Sequence, residues 1–202
     1  RRKFVAESTA FGDQNANIQD YDVASNGDIW ASTLSPSVGL FRERNKSQQE
    51  FKVSGLTPAG VADAPDDTVY AIFYTGGDYW LYSKGPGSNS FTRFDDFNSL
   101  YDVSVGAGND VWIIDRSLYV RQWTGTSFEK RPSQGQKAEA VRVSRNGEVF
   151  ILTSDNGVYR WNATNKSFDL IKNSTAENFD VEEDGRLWLS VNNTPTIKRA
   201  RD

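Results

Sequence analysis

Cysteine, histidine and methionine are all absent from the 202 residues. Without Cys or His the chain has no thiolate nucleophile, no thiol redox chemistry and no usual zinc site. A Ser-His-Asp triad is excluded as well. A chain with no Cys is indifferent to redox compartment, so this absence does not locate it. No apolar run reaches 18 residues, so no helical membrane span is expected. A basic block is missing too: 23 basic and 27 acidic residues are mixed along the sequence for a net charge of −4, and a nucleic-acid partner is not expected. Hydrophobic residues reach only 37%, so six Trp, eight Tyr and twelve Phe must supply much of the buried area. At this length one core can bury roughly 70% of the surface of the unfolded chain without staples.

What is present is a repeat, and repeats are read before anything else. Asp22-Val23-Ala24-Ser25-Asn26-Gly27-Asp28-Ile29-Trp30 opens the series. Gly60-Val61-Ala62-Asp63 leading to Val69-Tyr70 follows, then Asp102-Val103-Ser104-Val105 leading to Val111-Trp112. Arg142-Val143-Ser144-Arg145-Asn146-Gly147-Glu148-Val149-Phe150 and Asp180-Val181-Glu182-Glu183-Asp184-Gly185-Arg186-Leu187-Trp188 complete it. The closing aromatics stand at 30, 70, 112, 150 and 188. This near-constant spacing of about 40 residues divides the chain into units 18–54, 58–95, 99–132, 139–172 and 177–202, the last joined by 1–7.

Each unit reads as short strands, with no helical period anywhere. Asn26-Gly27, Asn146-Gly147 and Asp184-Gly185 signal two-residue hairpins, in which both central residues need positive φ. Units two and three carry two extra residues at this turn in this reading. Four strands per unit around a ring is a β-propeller. The expected fold is therefore all-β: one domain, a five-bladed β-propeller with four antiparallel strands per blade. The last unit lacks a fourth strand, and Arg2-Lys3-Phe4-Val5-Ala6-Glu7 resembles one, so the N-terminal strand is expected to complete the last blade and hide an open edge.

Asp102-Val103-Ser104-Val105-Gly106, Val111-Trp112-Ile113-Ile114 and Ser117-Leu118-Tyr119-Val120 together resemble the tectonin repeat. Val149-Phe150-Ile151-Leu152 with Asp155-Asn156-Gly157-Val158-Tyr159-Arg160-Trp161 does the same, and the likeness runs over all five units. The leading Asp departs from the pattern at Gly60 and Arg142. Tectonin-type propellers are mostly lectins, often six-bladed, and the tachylectin type is a five-bladed sugar binder. The resemblance thus implies several quasi-equivalent glycan sites.

The residues themselves suggest where a ligand could sit. Asp22, Asp102 and Asp180 open first strands; carboxylates accept strong hydrogen bonds from hydroxyls, but they also cap loops or bond backbone N–H groups where blades meet. The loops between fourth and first strands share a face with the turns between second and third strands, and binding residues concentrate on such loops. That face offers Tyr21, Tyr74, Asp78, Tyr101, Asp115, Arg116, Asp155, Asn156, Asn192 and Asn193. Trp80, Trp123 and Trp161 fall near third strands without a common register, so some can be exposed for stacking. The aromatics at 30, 70, 112, 150 and 188 read as core. Triplets for N-glycosylation occur at Asn45, Asn162, Asn165, Asn173 and Asn192, but Asn-rich turns generate them by composition. Asp66-Asp67 and Asn109-Asp110 lack the ligand spacing of a calcium loop, and no cofactor is implied.

The expected function is a carbohydrate-binding, lectin-like propeller whose partners are glycans. A non-enzymatic protein-interaction or sensory propeller of a larger protein is the alternative, with another protein as partner. A glycoside hydrolase would need a deep funnel around paired carboxylates, and the short connections leave little material for one. The reading is therefore of a binder and not an enzyme.

Overall fold

The structure, a computed structural model, describes residues 17–35, 38–173, 176–182, 185–191 and 197–199. Each sequence unit folds into one antiparallel sheet, its strands joined in simple up-and-down order, which we call a blade. Blade 1 holds β1 (Asn17–Val23), β2 (Ile29–Ser35), β3 (Gly39–Arg44) and β4 (Ser47–Phe51). Blade 2 holds β5 (Thr57–Asp63), β6 (Val69–Thr75), β7 (Asp78–Lys84) and β8 (Thr92–Arg93). Blade 3 holds β9 (Leu100–Gly106), β10 (Asp110–Asp115), β11 (Val120–Trp123) and β12 (Phe128–Lys130). Blade 4 holds β13 (Ala138–Val143), β14 (Val149–Thr153), β15 (Gly157–Asn162) and β16 (Ser167–Asn173). Blade 5 holds β17 (Ala176–Val181), β18 (Leu187–Val191) and β19 (Ile197–Arg199). The expected strand 2–7, the loop positions 8–16, and the candidates Asn192 and Asn193 lie outside the described residues.

Strand pairing corrects the internal alignment of the repeat. Opposite Trp30, Tyr70, Trp112, Phe150 and Trp188 stand Asp22, Ala62, Ser104, Arg142 and Asp180. Two residues earlier on the first strands stand Asp20, Gly60, Asp102, Ala140 and Asn178, which pair with the residues two positions after those aromatics. Asp102 is therefore the counterpart of Asp20, not of Asp22. All five first turns then have equal length, and units two and three carry no extra residues. Strand side chains alternate with period two, so a two-residue shift preserves every inward and outward position and leaves the two alignments alike in sequence.

The first turns also differ in type from the expected two-residue hairpins. Ala24 N–H reaches the Asp28 carbonyl at 2.9 Å and Gly27 N–H returns to the Ala24 carbonyl at 2.9 Å. Blades 2, 4 and 5 repeat this pair of bonds. Gly27, Gly147 and Gly185 take positive φ while Asn26 and Asn146 do not. This is the three-residue hairpin, a type I turn closed by a left-handed residue. True two-residue hairpins with two positive φ values occur elsewhere, at Gly76-Gly77 between Thr75 and Asp78 and at Asn45-Lys46 between Arg44 and Ser47.

A blade is apolar on both faces and must be covered twice. Trp30, Leu40 and Phe51 of blade 1 pack on Val61, Val69 and Phe73 of blade 2. Tyr70, Ile72 and Leu81 of blade 2 meet Val103, Val111 and Ile113 of blade 3. Trp112, Ile114 and Val120 meet Val141, Val149 and Ile151, and Phe150, Leu152 and Val158 meet Phe179, Leu187 and Leu189. Each large side chain buried in this way is worth about 1.5–3 kcal/mol. The second-strand aromatics Trp30, Tyr70, Trp112 and Phe150 are all buried in these seams.

Gly106, at the end of β9, shows how closely the blades approach. A Cβ there would stand 2.6 Å from Cγ1 of Val143 on blade 4. Gly106→Ala is expected to lower unfolding free energy by about 1–3 kcal/mol through overpacking, read as a lower midpoint in urea with an unchanged slope. An unchanged midpoint would mean that the seam is looser than this geometry.

Candidate functional site

The innermost strands β1, β5, β9 and β13 lie side by side but share no backbone ladder among the described residues. Side chains bridge them instead. Asp20 accepts Val61 N–H at 2.9 Å, and Asp22 accepts Asp63 N–H at 2.7 Å and Val23 N–H at 2.7 Å. Asp102 accepts Val103 N–H and Val141 N–H, each at 2.9 Å, and Ser104 accepts Val143 N–H at 2.9 Å. Asp180 accepts Val181 N–H at 2.8 Å. Of the carboxylates proposed as sugar acceptors, Asp22 and Asp102 thus bond backbone N–H groups across the seams, whereas Asp180 is exposed and, among the described residues, bonds only its neighbour Val181.

Arg142 reaches into this ring of acids and pairs with Asp102 at 3.0 Å. Burial disfavours the guanidinium charge, but Asp102, Asp20, Asp180 and Asp22 outweigh it and raise the Arg142 pKa. Four inner strands therefore contribute charge around one point. Burial, then repulsion from Asp102, pushes the Asp20 carboxyl up to about 7. Burial, then Asp22 and Asp67, pushes Asp63 up to about 7. Tyr21 lies mid-strand in β1, not on a loop, where its pKa is raised by burial and by Asp180. Its counterparts Val61, Val103, Val141 and Phe179 are buried, whereas Tyr21 is 52% exposed. Among the described residues no group of three or more acidic, His or Cys side chains could hold a metal.

A second constellation forms where blades 2 and 3 meet on the face expected for binding. Tyr74 and Tyr79 face each other across the Gly76-Gly77 hairpin, with ring centroids 4.9 Å apart. Tyr79 N–H bonds the Asn98 carbonyl, and Arg116 N–H bonds the neighbouring Ser99 carbonyl. This places the Arg116 guanidinium 4.6 Å from the Tyr79 ring centroid. Asp115 builds the turn that presents Arg116: its carboxylate accepts Ser117 and Tyr119 N–H groups and Arg121 Nε at 2.8–3.0 Å. Tyr101, two residues after Ser99, is the bulged residue of β9, skipped between the Ile114–Asp102 and Asp115–Leu100 pairs. Bulges re-aim side chains, and Tyr101 is 56% exposed.

The structure thus gathers Tyr74, Tyr101 and Arg116 and adds Tyr79, which the sequence reading missed. Its signal was a tyrosine on each side of a Gly-Gly turn, the spacing of a cross-strand pair. Asp155 and Asn156 lie in the matching turn of blade 4, where Asp155 accepts the Thr153 hydroxyl and Gly157 N–H. The Thr153 bond holds the Asp155 carboxyl below its usual range.

The three tryptophans go to separate places. Trp80 is covered by Arg93, whose guanidinium lies 3.4 Å from the ring centroid. Trp161 packs on Trp112 and Phe168. Trp123 packs on Phe94 and Phe128 and also lines an open groove of about 490 Å³ with Asp95, Asp96 and Phe97.

No family model matches the chain, and no curated protein matches it in sequence. Solved structures do match in shape. Virginiamycin B lyase from Staphylococcus aureus superposes with a TM-score of 0.65 at 12% identity, over 91% of this chain and 66% of that one. TolB from Acinetobacter baumannii gives 0.76 at 9% identity, over 90% of this chain and 50% of that one. YCF48 bound to D1 peptide gives 0.62 at 14% identity, over 92% and 65%. The chain therefore spans two thirds or less of the length of these proteins. The likeness establishes a β-propeller fold and gives the tectonin type and sugar binding no support.

It also corrects the expectation that the chain is not an enzyme. A lyase and a gluconolactonase are built on the same fold, so the fold does not exclude catalysis. One lyase structure is a catalytically inactive histidine-to-alanine variant, and this chain has no histidine to match that residue. At 12% identity the likeness assigns this chain neither a reaction nor the lack of one.

The Asp63 carboxyl makes a pH prediction. Its folded pKa of about 7 exceeds the ordinary 3.8, so its contribution to stability is complete below about pH 4 and is lost as pH rises through 7. Asp63→Asn is expected to leave the melting temperature near wild type at pH 4 and to raise it by several degrees at pH 8. Thermal melts at both pH values check this; an equal change at both would rule out the carboxyl as the cause.

Proposed function

We propose that this propeller binds a polypeptide partner on the face formed by Tyr74, Tyr79, Tyr101 and Arg116, across blades 2 and 3. The carrying observation is the Tyr74–Tyr79–Arg116 stack beside the exposed Tyr101. Tyr and Arg are among the residue types that dominate the energy of protein interfaces: Tyr brings large area at low entropy cost, and Arg a planar guanidinium that stacks on rings and donates several hydrogen bonds. Tyr74 and Tyr101 expose 40% and 56% of their surface, and the Arg116 side chain pairs with no carboxylate among the described residues. A propeller of similar shape, YCF48, has been solved with a bound D1 peptide. In this reading the five blades share one axis as a single closed ring. The charge of Asp180 on the last inner strand acts on Tyr21 and Asp22 of the first, which supports that arrangement.

Peptide-display selection on the purified chain, followed by affinity measurement on the selected peptides, tests the proposal. Tyr101→Ala and Arg116→Ala are each expected to weaken binding by about tenfold or more, while Arg160→Ala, on blade 4, leaves it unchanged. Selection of no peptide, or of peptides indifferent to both variants, contradicts the reading. Saccharide binding lost in the same variants would replace it with the carbohydrate reading.

A further inference from the structure

The groove beside Trp123 arises from an irregularity of blade 2. Its outer strand β8 has only two residues, against five for β4 and seven for β16. After Arg93 the chain leaves the sheet, and Phe94 N–H makes a last bond to the Leu81 carbonyl at 2.8 Å. The following turn is closed by Asp95, which accepts Phe97 N–H at 3.2 Å. The outer hairpin of blade 3, β11 to β12, is left partly uncovered, and the space between holds about 490 Å³.

The chemistry of the walls is uneven. Phe94, Phe97, Trp123 and Phe128 line the groove, together with Asp95, Asp96 and two hydroxyls, and no Lys or Arg lines it. Aromatic faces carry a negative quadrupole, so rings and carboxylates present charge of one sign to the same space. Two cations stand at the edge of the groove, each already paired, and Arg93 also donates to the Asp95 carbonyl at 3.0 Å. Arg121 lies 4.8 Å from the Phe97 ring centroid but pairs with Asp115 at 2.8 Å. Arg93 touches Asp96 at 3.2 Å and lies over Trp80. One Asp95 oxygen holds Phe97 N–H, and among the described residues no bond occupies the other.

We propose that this groove is a binding site for a small organic cation, a substituted or quaternary ammonium group, with Trp123 and Phe97 as its walls and Asp95 as its counter-charge. Rings supply the attraction that a methylated ammonium cannot obtain from hydrogen bonds, and the carboxylate supplies the charge. Burial, then Asp96, raise the Asp95 pKa against the Phe97 N–H bond and the Arg93 charge. The site is separate from the tyrosine face and does not depend on it.

Amide NMR during titration with tetramethylammonium chloride, against sodium chloride at equal ionic strength, tests this. Saturable shifts confined to residues 94–97 and 123–128 are expected. Asp95→Asn should weaken binding about tenfold and Trp123→Ala should abolish it. Trp123→Phe, which keeps a ring in place, should retain most of it and guards against a folding defect in the alanine variant. Tyr101→Ala should leave it intact. Shifts no different from those in sodium chloride, or unchanged in Asp95→Asn, overturn the proposal. So do shifts produced by glucose, galactose or N-acetylglucosamine but not by the ammonium ion, which would make the groove a saccharide site.

Discussion

Among the described residues, adjacent innermost strands of this propeller run alongside each other without sharing a backbone ladder, so N–H groups that face the next blade need partners from side chains. Asp20, Asp22, Asp102 and Ser104 supply them, reaching Val61, Asp63, Val141 and Val143 on the next blade at 2.7–2.9 Å. Bonds to an ionised acceptor are stronger than neutral ones, and an unmade buried bond costs about 1–3 kcal/mol. The apolar seams hold blades face to face; these bonds set their height relative to one another. The concentration of acids has its own cost, visible in the raised Asp20 carboxyl and offset in part by Arg142.

This explains why the seam residues looked functional in the sequence. An Asp recurring at the start of a strand suits a sugar hydroxyl and a backbone N–H equally well, because both are donors of similar reach. What the sequence could not show was which donor lies opposite, since that depends on the neighbouring blade some 40 residues away. The repeat length, the strand order and the buried aromatics at 30, 70, 112 and 150 were all legible, because each follows from local alternation and turn residues. The alignment of Asp102 with Asp22 failed for the same reason that the alternation succeeded: strands look alike after a shift of two. The bulge at Tyr101 was hidden because a bulge needs a partner strand to define it.

The candidate sites lie where the repeat is broken. Gly76-Gly77 gives blade 2 a tight hairpin that sets Tyr74 against Tyr79, and the shortened β8 opens the groove beside Trp123. Where units keep to the pattern, most aromatics are spent on packing, as Trp161 is against Trp112 and Phe168, whereas Tyr101 stands exposed at a bulge that all five blades share. A fold that carries a lyase, a gluconolactonase and a peptide-bound protein among its shape relatives sets the scaffold and leaves chemistry to such departures.

Native-state hydrogen exchange at the Val61, Asp63, Val141 and Val143 amides tests the seam most directly. Side-chain fastening predicts protection comparable to the ladder amides of β6 and β14, with selective loss at Val141 when Asp102 is replaced by alanine. Exchange at the rate of loop amides in the unmodified protein would contradict it.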